Sequence, residues 1–142
     1  MNECIFCDII AGREPASIVY EDDDVIAFLD IFPINPGHTL VVPKQHAARL
    51  ADLDAKAAGN MMVAAQRVAQ ALYRSRVFCL GVNLTLADGE AAGQEIPHVH
   101  LHVFPRFKGD GFRCMRAGGI RHAPREALEE VAAMIRDAMA WM

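Results

Sequence analysis

Apolar and polar residues alternate strictly along His98-Val99-His100-Leu101-His102-Val103-Phe104. Successive side chains of a strand point to opposite faces, so this pattern predicts a strand over 98–104. Its three imidazoles share one face, with same-face neighbours roughly 6.6 Å apart. Upstream, Ile18–Glu21 and Val25–Leu29 predict a hairpin around Asp22-Asp23-Asp24. Thr39–Val42 predicts a third strand, ended by Pro43, which has no N–H to give a ladder. Val77–Thr85 predicts a further strand, joined to the histidine strand by the Gly-rich loop Leu86–Pro97.

Helical spacing takes over elsewhere. Ala58, Met61, Met62, Ala65, Val68, Ala69 and Leu72 recur at three and four, predicting a long helix over about 55–74 with one apolar stripe. A short helix is predicted from Cys7 to Ala11, stopping near Gly12. A C-terminal one starts near Pro124, with Leu128, Val131, Ile135, Ala138 and Met139 on its stripe. The sum is an α+β domain: an antiparallel sheet of about five strands with one long helix packed on it. At 142 residues and 53% apolar, the chain fits a single domain over 1–142. Residues 109–142 form a basic loop and the C-terminal helix.

Charge excludes more than it proposes. Fourteen basic against eighteen acidic residues give −4, so there is no bulk electrostatic case for nucleic acid or for a membrane surface. Arg106, Lys108, Arg113, Arg116, Arg121 and Arg125 form one basic stretch with Asp110 as its acidic counterweight. It serves either as a solvated loop or as an attractor of polyphosphate. No stretch approaches the roughly 18 apolar residues of a membrane span. The start, Met1-Asn2-Glu3-Cys4, does not read as a secretory leader. Four cysteines without such a leader point to reduced thiols and a cytoplasmic location. Cys79 falls among apolar residues and suits packing, while Cys114 has no assigned role.

The candidate chemistry starts from the three histidines. Each imidazole is an acid, base, nucleophile or metal ligand near neutral pH. A core does not collect three on one face without partners for six ring nitrogens. A bare metal site is the nearest alternative to a catalytic one. Cys4-x2-Cys7 has the spacing of half a tetrahedral zinc site, and equally of two buried or free thiols.

Four motifs, in order, are similar to the histidine triad (HIT) family of nucleotide hydrolases and transferases. They are Cys4-Ile5-Phe6-Cys7, Ala27–Pro33, Pro36–His46, and Gly81–Asn83 with Asp88-Gly89 and Ala92–Pro97 before the triad. The resemblance covers roughly 4–108. It implies His100 as nucleophile on an α-phosphorus, with the His98 carbonyl fixing its tautomer and His102 bonded to the phosphate. It also implies catalytic help from Gln94 and a phosphate cradle at Gly93-Gln94-Glu95. Glu95 departs from the Ser or Thr of many relatives, and a carboxylate there repels a phosphate unless it points away. Asp30 has the chemistry to accept from both ribose hydroxyls, or to cap a turn before Pro33. Asn83 is expected to orient sugar or phosphate. Phe28 and Ile31 are candidate base-pocket walls, or core. Zinc would be held by Cys4, Cys7, His46 and His98 as a structural site. His38 is expected to be structural or to act from behind the site, and His122 to lie in a surface loop. The resemblance further implies a purine nucleotide as ligand and a homodimer. Two other functions compete: a nucleotide-binding or scaffold protein with little turnover, and a purely structural zinc protein.

Overall fold

Two features of the chain chemistry set the strand limits. The computed structural model describes residues 3–113 and 120–142, so Cys114 and Arg116 lie outside it. Strands β1 (Ile18–Glu21), β2 (Val25–Leu29), β3 (Thr39–Pro43), β4 (Gly81–Thr85) and β5 (Leu101–Arg106) form one sheet in the order β1-β2-β3-β5-β4. Every neighbouring pair is antiparallel. Strand β4 starts at Gly81 rather than Val77, because Phe78 has a φ of 56°. That left-handed backbone cannot continue a ladder.

Strand β5 starts at Leu101, three residues later than the alternation predicts. Pro43 is the reason. The β3–β5 register pairs Thr39 with Val103 and Val41 with Leu101, so Pro43 would come next against Val99. Pro43 has no N–H to offer, and the Val99 N–H goes instead to the Ala47 carbonyl at 2.8 Å. The segment 98–100 stays outside the ladder, yet its side chains keep alternating.

The two faces of the sheet are apolar and covered differently. Val25, Ala27, Val41, Val99, Leu101 and Val103 pack on Met61, Ala64, Ala65, Val68 and Leu72 of helix α2 (Ala55–Arg74). Each such aliphatic side chain taken from water contributes about 1.5–3 kcal/mol. Asp54 caps α2, its carboxylate accepting from the Lys56 N–H at 2.8 Å. Met62, expected on the inner stripe, is 54% exposed, and Ala64 takes the inward position.

Ile26, Phe28, Leu40 and Val42 line the opposite face, under Phe6 of helix α1 (Ile5–Ile10). Helix α1 begins two residues before the predicted start because the Cys4 thiol accepts from the Cys7 N–H and caps it. The chain divides into two compact units, Met1–Asp110 and Gly111–Met142. The second carries helix α3 (Arg125–Met139), preceded by Pro124. No helix among the described residues is long and apolar enough to cross a membrane.

Candidate functional site

The triad lies on the α1-covered face. His98 is fully buried, His100 nearly so, and His102 half-buried. Phe6 roofs the first two, its ring edge-on to His98 at 5.9 Å and to His100 at 5.1 Å between centroids. The rings of His100 and His102 stand 5.1 Å apart.

Hydrogen bonds set the tautomers of these rings. His100 Nδ1 lies 2.8 Å from the His98 carbonyl oxygen. A carbonyl only accepts, so Nδ1 carries the proton and Nε2 of the neutral ring keeps its lone pair. His98 does the reverse. Its Nε2 donates to the Pro43 carbonyl at 2.8 Å, which leaves Nδ1 bare. Burial above all pushes His98 below the ordinary imidazole range, against the opposing pull of that carbonyl. Burial, reinforced by the neighbouring His100 and His38, pushes His102 down to about 4. His102 is therefore neutral at pH 7. Burial also lowers His38, partly offset by the carboxylate of Asp30.

The bare Nδ1 of His98 faces a cluster. Cys4 Sγ is 3.3 Å from it, Cys7 Sγ 3.6 Å and His46 Nδ1 3.1 Å. Cys7 Sγ is also 3.3 Å from His46 Nδ1. A tetrahedral zinc with ordinary bond lengths has edges of about 3.4 Å between nitrogens and about 3.6 Å between sulfur and nitrogen. The four donors fit that ion, with edges slightly contracted. The Pro43 carbonyl on the far side of His98 is the outer-sphere acceptor that orients a ligating imidazole.

Several expected ligand contacts turn inward instead. Gln94, expected to be catalytic, accepts from the Gly89 N–H through Oε1 at 2.8 Å. Its Nε2 donates to the carbonyls of Ala48 at 2.8 Å and Ile96 at 3.0 Å. The side chain is thus a brace for the loop that delivers the triad. In the expected cradle, the Gly93 N–H goes to the Glu90 carbonyl and the Gln94 N–H to that of Gly89, at 2.9 and 3.1 Å. Both glycines adopt positive φ, 98° at Gly89 and 93° at Gly93, which closes this tight turn. Glu95 lines a surface hollow of about 610 Å³ together with Arg49, Glu90 and Pro97. Two carboxylates there stand against one guanidinium.

Asp30 sits beside His102. Its Oδ1 accepts from the Phe32 N–H at 2.9 Å, and its Oδ2 is 3.9 Å from His102 Nδ1 and 3.6 Å from His38 Nε2. Phe28 is 4% exposed beneath Phe6, so it is core rather than an open wall. Ile31 is 85% exposed on the loop beside Asp30. Phe32, which sequence reasoning passed over, is equally exposed next to it. Asn83 pairs with Phe104 across the ladder, on the triad face, and accepts from Arg106 at 2.8 Å. Arg106, in the basic stretch, is also held by Asp110 at 2.7 Å. His122 is exposed, as expected of a loop residue. His38, which hydrogen-bonds the third triad member, is the residue whose place sequence spacing revealed least.

Comparison with known proteins agrees with this fold. The HIT domain profile matches residues 11–109. An uncharacterized HIT-like protein of Borreliella burgdorferi is 47% identical over 118 residues, covering 82% of this chain and 84% of its own. A zinc-bound histidine triad family protein from Mycobacterium smegmatis superposes with a TM-score of 0.76 at 37% identity, covering 96% of this chain and 97% of its own. A histidine triad nucleotide-binding protein from Candida albicans superposes at 0.86 with 25% identity, covering 97% and 98%. With a triad of this geometry, on this sheet, and with these relatives, the chain belongs to the HIT family.

Proposed function

We propose that this protein cleaves nucleotides at the α-phosphorus through a nucleotidyl-histidine intermediate on His100. One observation carries the proposal: the His98 carbonyl holds the proton of the neutral ring on His100 Nδ1, so the lone pair is on Nε2. A protein that only binds nucleotide has no need of a bare nucleophile. In the first step Nε2 forms a bond to phosphorus as the bond to the leaving group breaks. The electron pair departs on the leaving oxygen or nitrogen, which takes up a proton. In the second step water attacks phosphorus and gives its proton to solvent. The N–P bond breaks, and its electron pair returns to Nε2. His102, neutral at pH 7, hydrogen-bonds a phosphate oxygen where negative charge builds up.

Asp30 accepts from the ribose hydroxyls, and Ile31 and Phe32 give the base an apolar surface beside it. The ligand is a purine nucleotide in this reading, as an adenosine phosphoramidate or a dinucleoside polyphosphate. Asn83 lies on the same face, within reach of sugar or phosphate. Gln94 and Gly93 act through the loop they brace.

Zinc belongs to Cys4, Cys7, His46 and His98, whose donor atoms lie within 4.8 Å of one another. There it staples α1 to the sheet and takes no part in bond-making. The thiolate ligands suit a reducing cytoplasm. The chain also pairs with a second copy. β4 is a sheet edge, and beside it Met62, Val63, Ala65, Ala69 and Leu84 line an apolar hollow of about 400 Å³. Burying an unpaired edge and an apolar patch together favours self-association.

The experiment is a panel of adenosine phosphoramidates and diadenosine polyphosphates at equal concentration, with acid and base stability of the trapped adduct. Release of AMP through an acid-labile, base-stable adduct on His100 is expected. Tight binding without release on any substrate would leave a nucleotide-binding protein.

A further inference from the structure

Behind the triad lies a fourth imidazole, His38, which the steps above do not use. It is buried at the start of β3, its ring 5.2 Å from that of His102 and 5.1 Å from Phe104. Its hydrogen bonds leave one arrangement of protons. The Ile34 backbone N–H points at His38 Nδ1 from 3.0 Å. An amide N–H only donates, so His38 Nδ1 must be bare and its single proton sits on Nε2. That Nε2 lies 2.9 Å from His102 Nδ1. A proton on both facing nitrogens would collide, so His102 Nδ1 accepts and its proton sits on Nε2. Asp30 Oδ2, 3.6 Å from His38 Nε2, favours a proton there as well.

We propose that His38 is a positioning residue that holds His102 in the Nε2–H tautomer, through a chain that starts at the Ile34 amide. The consequence is a matched pair. His100 shows a bare Nε2 because a carbonyl stands behind it. His102 shows an Nε2–H because a donor stands behind it. Neighbouring rings are thereby committed to opposite tasks, one to give electrons to phosphorus and the other to give a hydrogen bond to its oxygens. Neutral imidazole in water does not hold a single tautomer, so without His38 part of the His102 population would present a lone pair to an anion. The burial that lowers His102 is consistent with a ring that never takes a second proton at pH 7. The effect on turnover rests on the proposed nucleotidyl transfer, whereas the tautomer does not.

The test is ring-nitrogen NMR on full-length protein with 15N-labelled histidine, free of nucleotide, together with kinetics of two variants. Wild-type His102 should show a protonated Nε2 and a bare Nδ1, and His100 the reverse. His38→Leu removes the donor: His102 should become a tautomer mixture and kcat should fall about 100-fold, the scale of a mispositioned proton donor. His38→Gln restores an N–H near the same place, and should recover at least about tenfold of that loss. A wild-type His102 with its proton on Nδ1, or in both positions, overturns the proposal, and so does an unchanged His102 tautomer in His38→Leu. Equal loss in folded Leu and Gln variants overturns it too. If His38→Leu does not fold, the wild-type spectrum decides. If wild-type protein turns over no substrate in the panel, the nucleotidyl-transfer reading fails, and the spectra still decide the role of His38.

Discussion

Acidification from about pH 7 to about pH 4.5 should destabilise the folded protein, and His102 should account for much of the slope. In the unfolded chain this imidazole takes its proton near the ordinary 6.5, whereas in the folded protein burial holds it off until about 4. Between those values the unfolded state binds more protons, so stability falls as pH drops through the window. Above 6.5 both states are neutral, and this contribution is fully present. A gap of two and a half pH units, at about 1.4 kcal/mol each, amounts to about 3.5 kcal/mol at most. A quarter of the side chain is exposed, which trims that figure. His38 moves in the same direction, also chiefly through burial. The assay is urea unfolding of wild type and His102→Gln at several pH values across the window. Subtracting one protein from the other removes whatever the other titrating groups contribute. Wild type should lose more stability on acidification than the variant, by about 2–3 kcal/mol. Parallel curves, or a variant that is the more acid-sensitive of the two, would refute the argument that burial governs this ring.

His100→Ala should lose about 10⁴-fold or more in turnover while still binding nucleotide, and a tenth of wild-type activity remaining would remove it as nucleophile. Asp30→Asn should weaken ribonucleotides more than 2′,3′-dideoxynucleotides, by roughly 1.5–3 kcal/mol for a charged hydrogen bond; equal weakening in calorimetry rejects the ribose contact. Metal analysis of protein purified without chelator should find about one zinc per chain, and chelation should lower the melting temperature. The pair Cys4→Ser, Cys7→Ser should melt earlier while its folded fraction keeps His100 chemistry; sub-stoichiometric zinc and unchanged melting would make both cysteines plain thiols. Val63→Glu, at the rim of the hollow beside β4, should shift sedimentation from dimer to monomer, and a monomeric wild type would remove the proposed pairing.

Residue period proved the most legible signal. The alternation at 98–104 placed three imidazoles on one face and Val99, Leu101 and Val103 on the other, and the chain folds so. The stripe of α2 was legible for the same reason, apart from the exchange of Met62 for Ala64, which flank the stripe on opposite sides, two residues or roughly 200° apart round the helix. Legibility fails where one residue answers to a distant partner. The start of β5 depends on Pro43, more than fifty residues earlier, through a register that no local pattern encodes. Gln94 has the chemistry to orient a phosphate, but the carbonyls of Ala48 and Ile96 claim its amide first. Phe28 is apolar in either role, and only the seating of Phe6 over it settles which face water reaches. His38 is a lone histidine in sequence. It becomes informative once the β3–β5 register sets it next to Phe104 and His102.

The roof over the nucleophile is a helix of six residues, and it lies wholly before residue 11, where the match to the HIT domain begins. The reacting face is therefore enclosed by a segment that adds no strand to the sheet, yet whose Phe6 completes one buried cluster with Ile26, Phe28, Leu40 and Val42. A change within this helix alters the cover over the same imidazoles, and leaves the strands and their register untouched.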